Sequence, residues 1–266
     1  MNSRTVDYNQ VAPGYDRRFT AGSSSAAGAP ILSLAQALDA RYILEVGCGT
    51  ARWLSDLRPA SEKLYGVDLS SGMLAQARRR DGRLFLVQGR AAHLPFQSHS
   101  FDLLYCINAL HHFRRPQEFI AEARRLLRPS GALAVVGLEP RHPRTDWYLY
   151  HYFTGTCAAD LERYPSSGAI LDWMVAAGFE QVSWQTAEHI HHPLTGREVL
   201  EDPFLDKNAS SQLILLTDEA YAAGLSRIQS ALDAVEASEG AVSAPQPIRF
   251  PVDLHLHILI GRFNRG

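Results

Sequence analysis

Short apolar segments alternate with amphipathic segments along most of the chain. Apolar runs of strand length lie near residues 42–46, 63–67, 83–87, 101–106, 131–138, 179–187 and 252–260. Segments with a helical spacing of apolar residues lie near 30–39, 51–57, 71–80, 116–127, 167–177 and 217–237. This alternation of strands and helices predicts an α/β fold, in which helices cover both faces of a mostly parallel sheet.

The last apolar run has a pattern of its own. From Val252 to Ile258, apolar and polar residues alternate strictly. Such alternation predicts a strand with one face open to solvent. We therefore expect an edge strand that carries His255 and His257 on its exposed face.

One strand-turn-helix segment has the chemistry of a nucleotide site. The run Ile43–Ala51 reads I-L-E-V-G-C-G-T-A, and the next strand ends at Asp68. Glycines let the backbone of such a turn approach a ligand, and the later acid accepts hydrogen bonds from a ribose. The dinucleotide pattern G-x-G-x-x-G requires glycine or alanine where Arg52 stands, and the acid at Glu45 is foreign to it. The segment therefore argues against an NAD-dependent oxidoreductase.

An acid followed by two glycines and a small residue resembles motif I of the class I S-adenosylmethionine-dependent methyltransferases. The segment Tyr8–Phe19, with its Ala-x-x-Tyr-Asp element, is similar to the pre-core segment of the ubiquinone/menaquinone-biosynthesis-like (methyltransferase type 11) group. The resemblance implies a doubly wound, Rossmann-like sheet of seven mostly parallel strands. Its last strand is antiparallel and lies beside the sixth, and helical and aromatic lid insertions are added to this core.

The resemblance also implies which residues bind S-adenosylmethionine. Glu45 would receive the ammonium group, directly or through water, and the backbone at Gly47, Cys48 and Gly49 would lie against the amino-acid tail. Asp68 would accept both ribose hydroxyls with its two oxygens. In the pre-core segment, Tyr15 would cap the methyl-donor end and Arg18 would pair with the cofactor carboxylate. The alternative is an anchor helix whose Tyr15 and Phe19 only pack on the sheet.

Three further stretches are implied to contact the cofactor. Leu69 and Met73 would form an apolar wall for the adenine, although core packing explains Met73 equally well. The loop after the third strand would contact the adenine through Gly89, Arg90 and Ala91. The end of the fourth strand and the loop after it would lie beneath the sulfonium, and their residues are Cys106, Asn108, Ala109 and His111. Arg90 departs from the family, which usually has an acid there, and an arginine cannot accept a hydrogen bond from adenine.

Histidines are the candidate catalytic groups. A methyl acceptor that carries a proton must lose it, and histidine titrates near neutral pH. His111 and His112 follow the fourth strand at the ligand-binding edge, and His151 lies in an aromatic segment. The alternative is that His111 is a packed loop residue. His189 and His191 alternate along an extended run, but no carboxylates accompany them at a convincing spacing, so we predict no metal.

The chain of 266 residues is expected to form one methyltransferase domain. Its core is predicted at about 30–139, 167–188 and 251–262. The remaining segments, about 1–29, 140–166 and 189–250, are predicted to be lids. The density of aromatic residues between Trp147 and Tyr164 suggests a planar or apolar acceptor beneath a lid, with core packing as the competing explanation.

Composition excludes several partners. The net charge is −2 and no basic tract is present, which argues against nucleic acid. No apolar stretch is long enough to span a membrane, and the N-terminus does not resemble a signal peptide. The three cysteines show no metal or disulfide spacing, so we expect a reduced, cytoplasmic setting. Oligomeric state is left as monomer or homodimer.

The sequence thus predicts a methyltransferase that transfers a methyl group in line to O, N or C of a small acceptor. A non-catalytic, cofactor-binding regulatory protein is the alternative from a different class. An NAD-dependent oxidoreductase is the weakest of the three hypotheses.

Overall fold

The structure is a computed structural model that describes residues 6–19, 26–238 and 247–262. The strands are β1 Tyr42–Val46, β2 Lys63–Asp68, β3 Phe85–Gln88, β4 Phe101–Ile107, β5 Leu127–Leu138, β6 Asp146–Trp147, β7 Gln181–His191, β8 Leu194–Thr195, β9 Arg249–Phe250 and β10 Val252–Arg262. The α-helices are α1 Tyr8–Val11, α2 Ala29–Ala37, α3 Arg52–Ser55, α4 Ser71–Arg80, α5 Pro116–Leu126, α6 Tyr148–Tyr152, α7 Thr156–Arg163, α8 Ser167–Ala176, α9 Ser211–Ile214 and α10 Asp218–Ser238. Short 3-10 helices span Ala12–Arg18, Ala26–Gly28, Leu110–His112, Gly196–Glu201 and Pro203–Leu205.

The main sheet has the strand order β3-β2-β1-β4-β5-β10-β7, and short β6 also pairs with β10. The pairs from β3 to β5 are parallel, whereas β10 runs antiparallel to both β5 and β7. The predicted doubly wound, mostly parallel sheet with an antiparallel last strand is confirmed. Because strand order reverses between β1 and β4, the carboxyl ends of these strands flank the crevice where such sheets bind ligands.

The prediction of an exposed edge strand for the last run is wrong. β10 lies inside the sheet, and His255 and His257 are only 6% and 5% exposed. Alternation therefore marked not a solvated face but a face covered by α8, from which Ser167 contacts His257. Two polar histidines on this face made a buried strand resemble a half-exposed one.

Apolar packing on both faces holds the core together. On one face α5 and α8 bury residues such as Phe119, Ile120 and Met174 against the sheet. On the other face α2 and α3 bury Ile31 and Leu54. Fully burying a side chain of this size contributes roughly 1.5–3 kcal/mol relative to exposing it, so the two layers favour the observed sandwich.

A third apolar cluster lies in the insertions that follow β5. It joins α6, α10 and β9 through buried residues that include Trp147, Tyr148, Phe153 and Phe250. Most of the aromatic density therefore packs the insertion itself. The predicted lid segments fall partly outside the described residues, at 1–5, 20–25 and 239–246. Within the described ranges, no helix has the length and apolar character needed to cross a bilayer.

A buried ionic network fastens this insertion. Asp160 on α7 is 0% exposed and pairs with Arg163. Its carboxylate also accepts hydrogen bonds from the Tyr150 hydroxyl at 2.8 Å and from Gln212 Nε2 at 2.6 Å. The ion pair and the hydrogen bonds offset the large cost of removing this carboxylate from water. The network links α6, α7 and α9 into one unit beside the sheet edge.

Two helical glycines offer a matched test of this packing. A Cβ at Gly224 of α10 would lie 2.2 Å from the Phe153 ring, whereas one at Gly168 of α8 would meet no atom within 4 Å. We expect Gly224→Ala to lower the free energy of unfolding by about 1–2 kcal/mol, because overpacking outweighs the gain in helix propensity. Gly168→Ala should raise it by up to about 1 kcal/mol. Urea titrations followed by circular dichroism measure both, and equal effects would contradict the packing.

Candidate active site

The glycine turn after β1 is held by hydrogen bonds that it donates to the neighbouring strand β2. Gly47 N and Cys48 N donate to the Val67 carbonyl at 2.8 and 3.1 Å. Gly47 has φ +73°, and a Cβ there would lie 2.5 Å from the Ala109 side chain. Gly49 also has positive φ, at +52°, but its missing Cβ would meet nothing within 4 Å. Packing against Ala109 therefore requires glycine at position 47. At Gly49 the space beside the backbone is open, so a ligand could approach the turn there.

Asp68 ends β2 beside this turn. Its two carboxylate oxygens accept hydrogen bonds from Gly49 N and Ser70 N, each at 2.8 Å. Burial raises the pKa of this carboxyl, and these amides oppose the shift. The next residue, Leu69, is an apolar side chain that is 62% exposed. A fixed carboxylate beside an exposed apolar surface suits a ribose joined to a flat base.

Glu45 lies beneath the turn and not on its open surface. Its side chain is 1% exposed, and the Tyr105 hydroxyl donates to Oε2 at 3.2 Å. Burial raises the pKa of Glu45 well above its usual range. The expected direct contact with an ammonium group is therefore corrected: in this conformation the side chain supports the turn from below.

Four other residues expected at the cofactor are also buried, namely Cys48, Met73, Cys106 and Ala109. Met73 packs against Val11 and Ala12, so core packing is the explanation that the structure favours for its side chain. After β3, Gly89 N donates to the Asp68 carbonyl at 3.0 Å, which places this loop beside Asp68. Arg90 is exposed there and Ala91 is half-buried.

The loop after β4 brings polar groups to the same edge. Asn108 is exposed with φ +49°, and its backbone N–H donates to the Val136 carbonyl at 2.8 Å. His111 stacks on Tyr164 with ring centroids 3.8 Å apart, and His112 lies 3.9 Å from His111. Burial lowers the pKa of His111 well below its usual range and that of His112 to about 3, and Arg163 lowers both further.

The N-terminal segment closes over this edge. The Tyr8 hydroxyl lies 2.6 Å from Nε2 of His112. Asn9 Oδ1 accepts hydrogen bonds from Ser70 Oγ at 2.9 Å and from Gly72 N at 3.0 Å. The Thr50 hydroxyl donates to Asp16 Oδ1 at 2.8 Å. These contacts join the segment to the first two strand ends and to the loop after β4, which is how a cover over a cofactor cleft is built.

Arg18 connects this cover to the insertion. Its guanidinium lies 3.8 Å over the Tyr15 ring, and Nη1 donates to the Ala209 carbonyl at 2.6 Å. Nε of Arg18 is buried, with no hydrogen-bond partner among the described residues. A buried donor without a partner is costly, and an anionic group of a ligand would satisfy it.

One expected catalytic residue lies elsewhere. His151 is exposed on α6 and its Nε2 contacts Asp146 Oδ1 at 2.5 Å, so the structure does not bring it to the His111–His112 pair. Sequence reasoning missed Tyr8 and Tyr164, which contact those two histidines. The only signal in the sequence was their position in aromatic segments. Contacts over such distances leave no local pattern, since Tyr8 and His112 are 104 residues apart.

Comparison with known proteins relates part of this chain to a family. The model of the type 11 methyltransferase domain matches residues 44–135, which include the glycine turn, Asp68 and the loop after β4. Over these residues the chain is similar to class I methyltransferase domains of the type 11 group, whose cofactor is S-adenosylmethionine.

Curated relatives agree over this part of the chain. A phthiotriol/phenolphthiotriol dimycocerosates methyltransferase of Mycobacterium leprae is 39% identical over 116 residues, or 41% of this chain and 42% of that protein. A fatty-acid O-methyltransferase of Mycolicibacterium smegmatis is 36% identical over 116 residues, with the same coverage of both chains. The match thus spans less than half of the length of these relatives.

A solved structure extends the likeness of the fold. A putative methyltransferase from an antibiotic biosynthesis pathway of Anabaena variabilis superposes with a TM-score of 0.65. It covers 88% of this chain and 96% of its own, at 18% sequence identity. This likeness concerns the fold, including the insertions beyond the matched domain.

The residues at the sheet edge fit the cofactor of the methyltransferase domain. Asp68 offers a carboxylate for the ribose, exposed Leu69 offers an apolar wall, and the open turn at Gly49 offers backbone for the amino-acid tail. Arg18 offers a buried, unpartnered donor for the carboxylate. Each of these residues would hold a different part of the same molecule.

Asp68 is the sharpest test of this assignment. We expect Asp68→Ala to weaken S-adenosylmethionine binding by about 2 kcal/mol or more, a roughly 30-fold rise in Kd, because two hydrogen bonds to a charged acceptor are lost. Calorimetric titration measures the change.

Asp102→Ala is the matched control. Asp102 Oδ2 accepts two backbone amides, Arg41 N at 2.9 Å and Tyr42 N at 2.8 Å, but at the opposite edge of the sheet. The two variants lose comparable support for the backbone, so only Asp68→Ala should change Kd. A similar change in both would mean that Asp68 acts through stability alone.

Proposed function

We propose that the protein methylates a hydroxyl oxygen of a small, largely apolar molecule. The observation that carries the proposal is the Tyr8–His112 pair at the loop after β4. S-adenosylmethionine, when bound, supplies an electrophilic methyl group and loses its positive charge on transfer. The chain's own residues must then align the acceptor, exclude water and take one proton from it.

Both members of the pair hold the protonation state that this task needs. Burial raises the pKa of Tyr8 well above its usual range, so its hydroxyl keeps its proton. The pKa of His112 near 3 keeps its ring neutral at physiological pH. With the ring proton on Nδ1, the Tyr8 hydroxyl donates to Nε2. Tyr8 can take the acceptor's proton while passing its own proton to His112.

The weak basicity of His112 favours oxygen as the acceptor atom. A hydroxyl that gains a methyl group becomes a strong acid, so a base with a conjugate-acid pKa near 3 is sufficient. An alkyl amine is an ammonium ion with a pKa near 10 and must lose a proton before its nitrogen can attack, and such a weak base cannot accept that proton. The burial and the neighbouring arginines that weaken His112 therefore point away from nitrogen.

The surroundings of the pair support an apolar acceptor. The Tyr8 and Tyr164 rings contact the two histidines, and the Tyr15 ring packs against Tyr8. A cavity of about 30 Å³ lies behind residues 108–111. Because small-molecule sites are typically about 300–1,000 Å³, the cover and the insertion must separate to admit an acceptor. The names of the two mycobacterial relatives, which refer to a lipid and to a fatty acid, agree with an apolar class.

The partners and location proposed here follow from composition. We propose a cytoplasmic setting, with a small molecule and not nucleic acid as acceptor. The cysteines, buried Cys48 and Cys106 and half-buried Cys157, are free.

Variants of the pair test the chemistry. We expect Tyr8→Phe and His112→Asn to lower kcat by about 10²–10⁴-fold with little change in affinity for S-adenosylmethionine, since general-base catalysis contributes on that scale. S-adenosylhomocysteine formation is measured over a panel of apolar alcohols, phenols, carboxylic acids and amines.

His99→Asn is the control, because His99 is exposed before β4 and asparagine tolerates its φ of +56°. Turnover with amines alone would contradict the choice of oxygen. Cofactor binding without turnover of any acceptor would instead favour a non-catalytic binding protein.

The pH dependence gives an independent prediction. A histidine base is active when neutral, and His112 stays neutral down to about pH 3. We therefore expect kcat to show no fall with a midpoint near pH 6.5. Stability behaves differently. A depressed pKa means that the unfolded chain binds more protons than the folded chain, so the free energy of unfolding decreases as the pH is lowered from about 6.5. Rates should be measured where circular dichroism shows folded protein, and a kcat midpoint near 6.5 would contradict the depressed pKa of His112 and the choice of oxygen that rests on it.

A further inference from the structure

A second group of chemically reactive side chains lies on β7 and β10, separate from β1, β2 and β4. In the antiparallel register Asp253 faces His191 and His255 faces His189. Residues that face one another and residues two apart share one face of a sheet. The four side chains therefore form a compact square at the end of this strand pair.

Distances between their polar atoms are short. His189 Nε2 lies 2.8 Å from Asp253 Oδ1, and His191 Nδ1 lies 3.1 Å from Asp253 Oδ2. His255 Nδ1 lies 3.6 Å from Asp253 Oδ1. One ligand atom from each of His189, His191 and Asp253 falls within 4.8 Å of the other two.

We propose that His189, His191, Asp253 and His255 bind a zinc-class divalent metal ion. Zinc holds nitrogen and oxygen ligands about 2.0–2.2 Å away in a tetrahedron, so two such ligands are about 3.3 Å apart. The three distances above bracket this value. Three imidazoles with one carboxylate are ligands that zinc and similar ions prefer over magnesium or calcium.

His255 gives the strongest independent support. Its side chain is only 8% exposed, and its Nδ1 is buried with no hydrogen-bond partner among the described residues. The His142 ring stacks on it at 3.8 Å and fixes its orientation. A buried imidazole nitrogen without a hydrogen bond is costly. A metal ion beside Asp253 would use that lone pair.

The site is accessible from outside. His189 and His191 are 46% and 59% exposed, and His191 and Asp253 border an open cavity of about 460 Å³. An ion can therefore enter without unfolding the strands. Because His191 is exposed, its substitution removes little buried packing and should not destabilise the fold.

The competing explanation is a hydrogen-bonded group of histidines around one aspartate, with no ion. The two explanations differ in saturable binding. Tag-free protein is dialysed against a chelator and then titrated with Zn²⁺ by calorimetry, with metal content measured by mass spectrometry. We expect one ion per chain, and a Tm that rises with Zn²⁺.

Variants assign the ligands. His191→Ala, His189→Ala and Asp253→Asn should each weaken Zn²⁺ binding at least tenfold, with unchanged circular dichroism and S-adenosylmethionine affinity. The control is His192→Ala: His192 is exposed and is the neighbour of His191, but it lies just beyond the end of β7 and does not belong to the group of possible ligands around Asp253.

Each remaining outcome overturns the proposal. Absence of saturable binding by the wild-type protein would leave only the hydrogen-bonded group. Unchanged binding in His191→Ala and Asp253→Asn, or an equal loss in His192→Ala, would place the ion elsewhere on the chain. The readouts do not depend on methyl transfer, so failure of one proposal leaves the other standing.

Discussion

The close approach of the β1 turn to the β4 loop is the constraint on which the candidate site depends. At Gly47, a Cβ would overlap the Ala109 side chain, and both amides at the start of the turn donate to Val67. The turn is thereby fixed to two neighbouring strands at once. Asp68, which follows Val67, bonds back to Gly49 and completes the arrangement. The position of the Asp68 carboxylate thus follows from the packing of a glycine.

The residues that cover the ligand-binding edge of the sheet come from segments that are far apart in sequence. Tyr8 contacts His112, and Arg18 contacts Ala209 across 191 residues. The insertion that carries Ala209 is itself held by the buried Asp160 network. Breaking one partner of a buried ion pair costs several kcal/mol, so the insertion is a firm surface against which the N-terminal cover can close.

The sequence predicted the sheet and its ligand-binding edge because both depend on local patterns. Apolar runs marked the strands, and the spacing of Gly47, Gly49 and Asp68 marked the turn. It failed where long-range pairing decides the outcome. Strand alternation could not reveal that Ser167 of α8 contacts His257 or that the His142 ring stacks on His255. No spacing rule linked Asp253 to His189, which lies on the neighbouring strand. Glu45 was expected to receive the ammonium group, but its side chain is buried, and the Tyr105 hydroxyl donates to it.

The two groups of histidines, His111 with His112 and His189 with His191, differ in the charges around them. Burial, and then the charge of Arg163, lower the pKa of both His111 and His112. His189 and His191 instead have a carboxylate between them, supplied by the facing strand. Neutral imidazoles without a carboxylate suit brief proton transfer, because the positive charge gained by the ring replaces the charge lost by the methyl donor. Imidazoles grouped around a carboxylate suit a metal ion that stays bound to them. The neighbouring charges, and not the histidines themselves, separate the two sites.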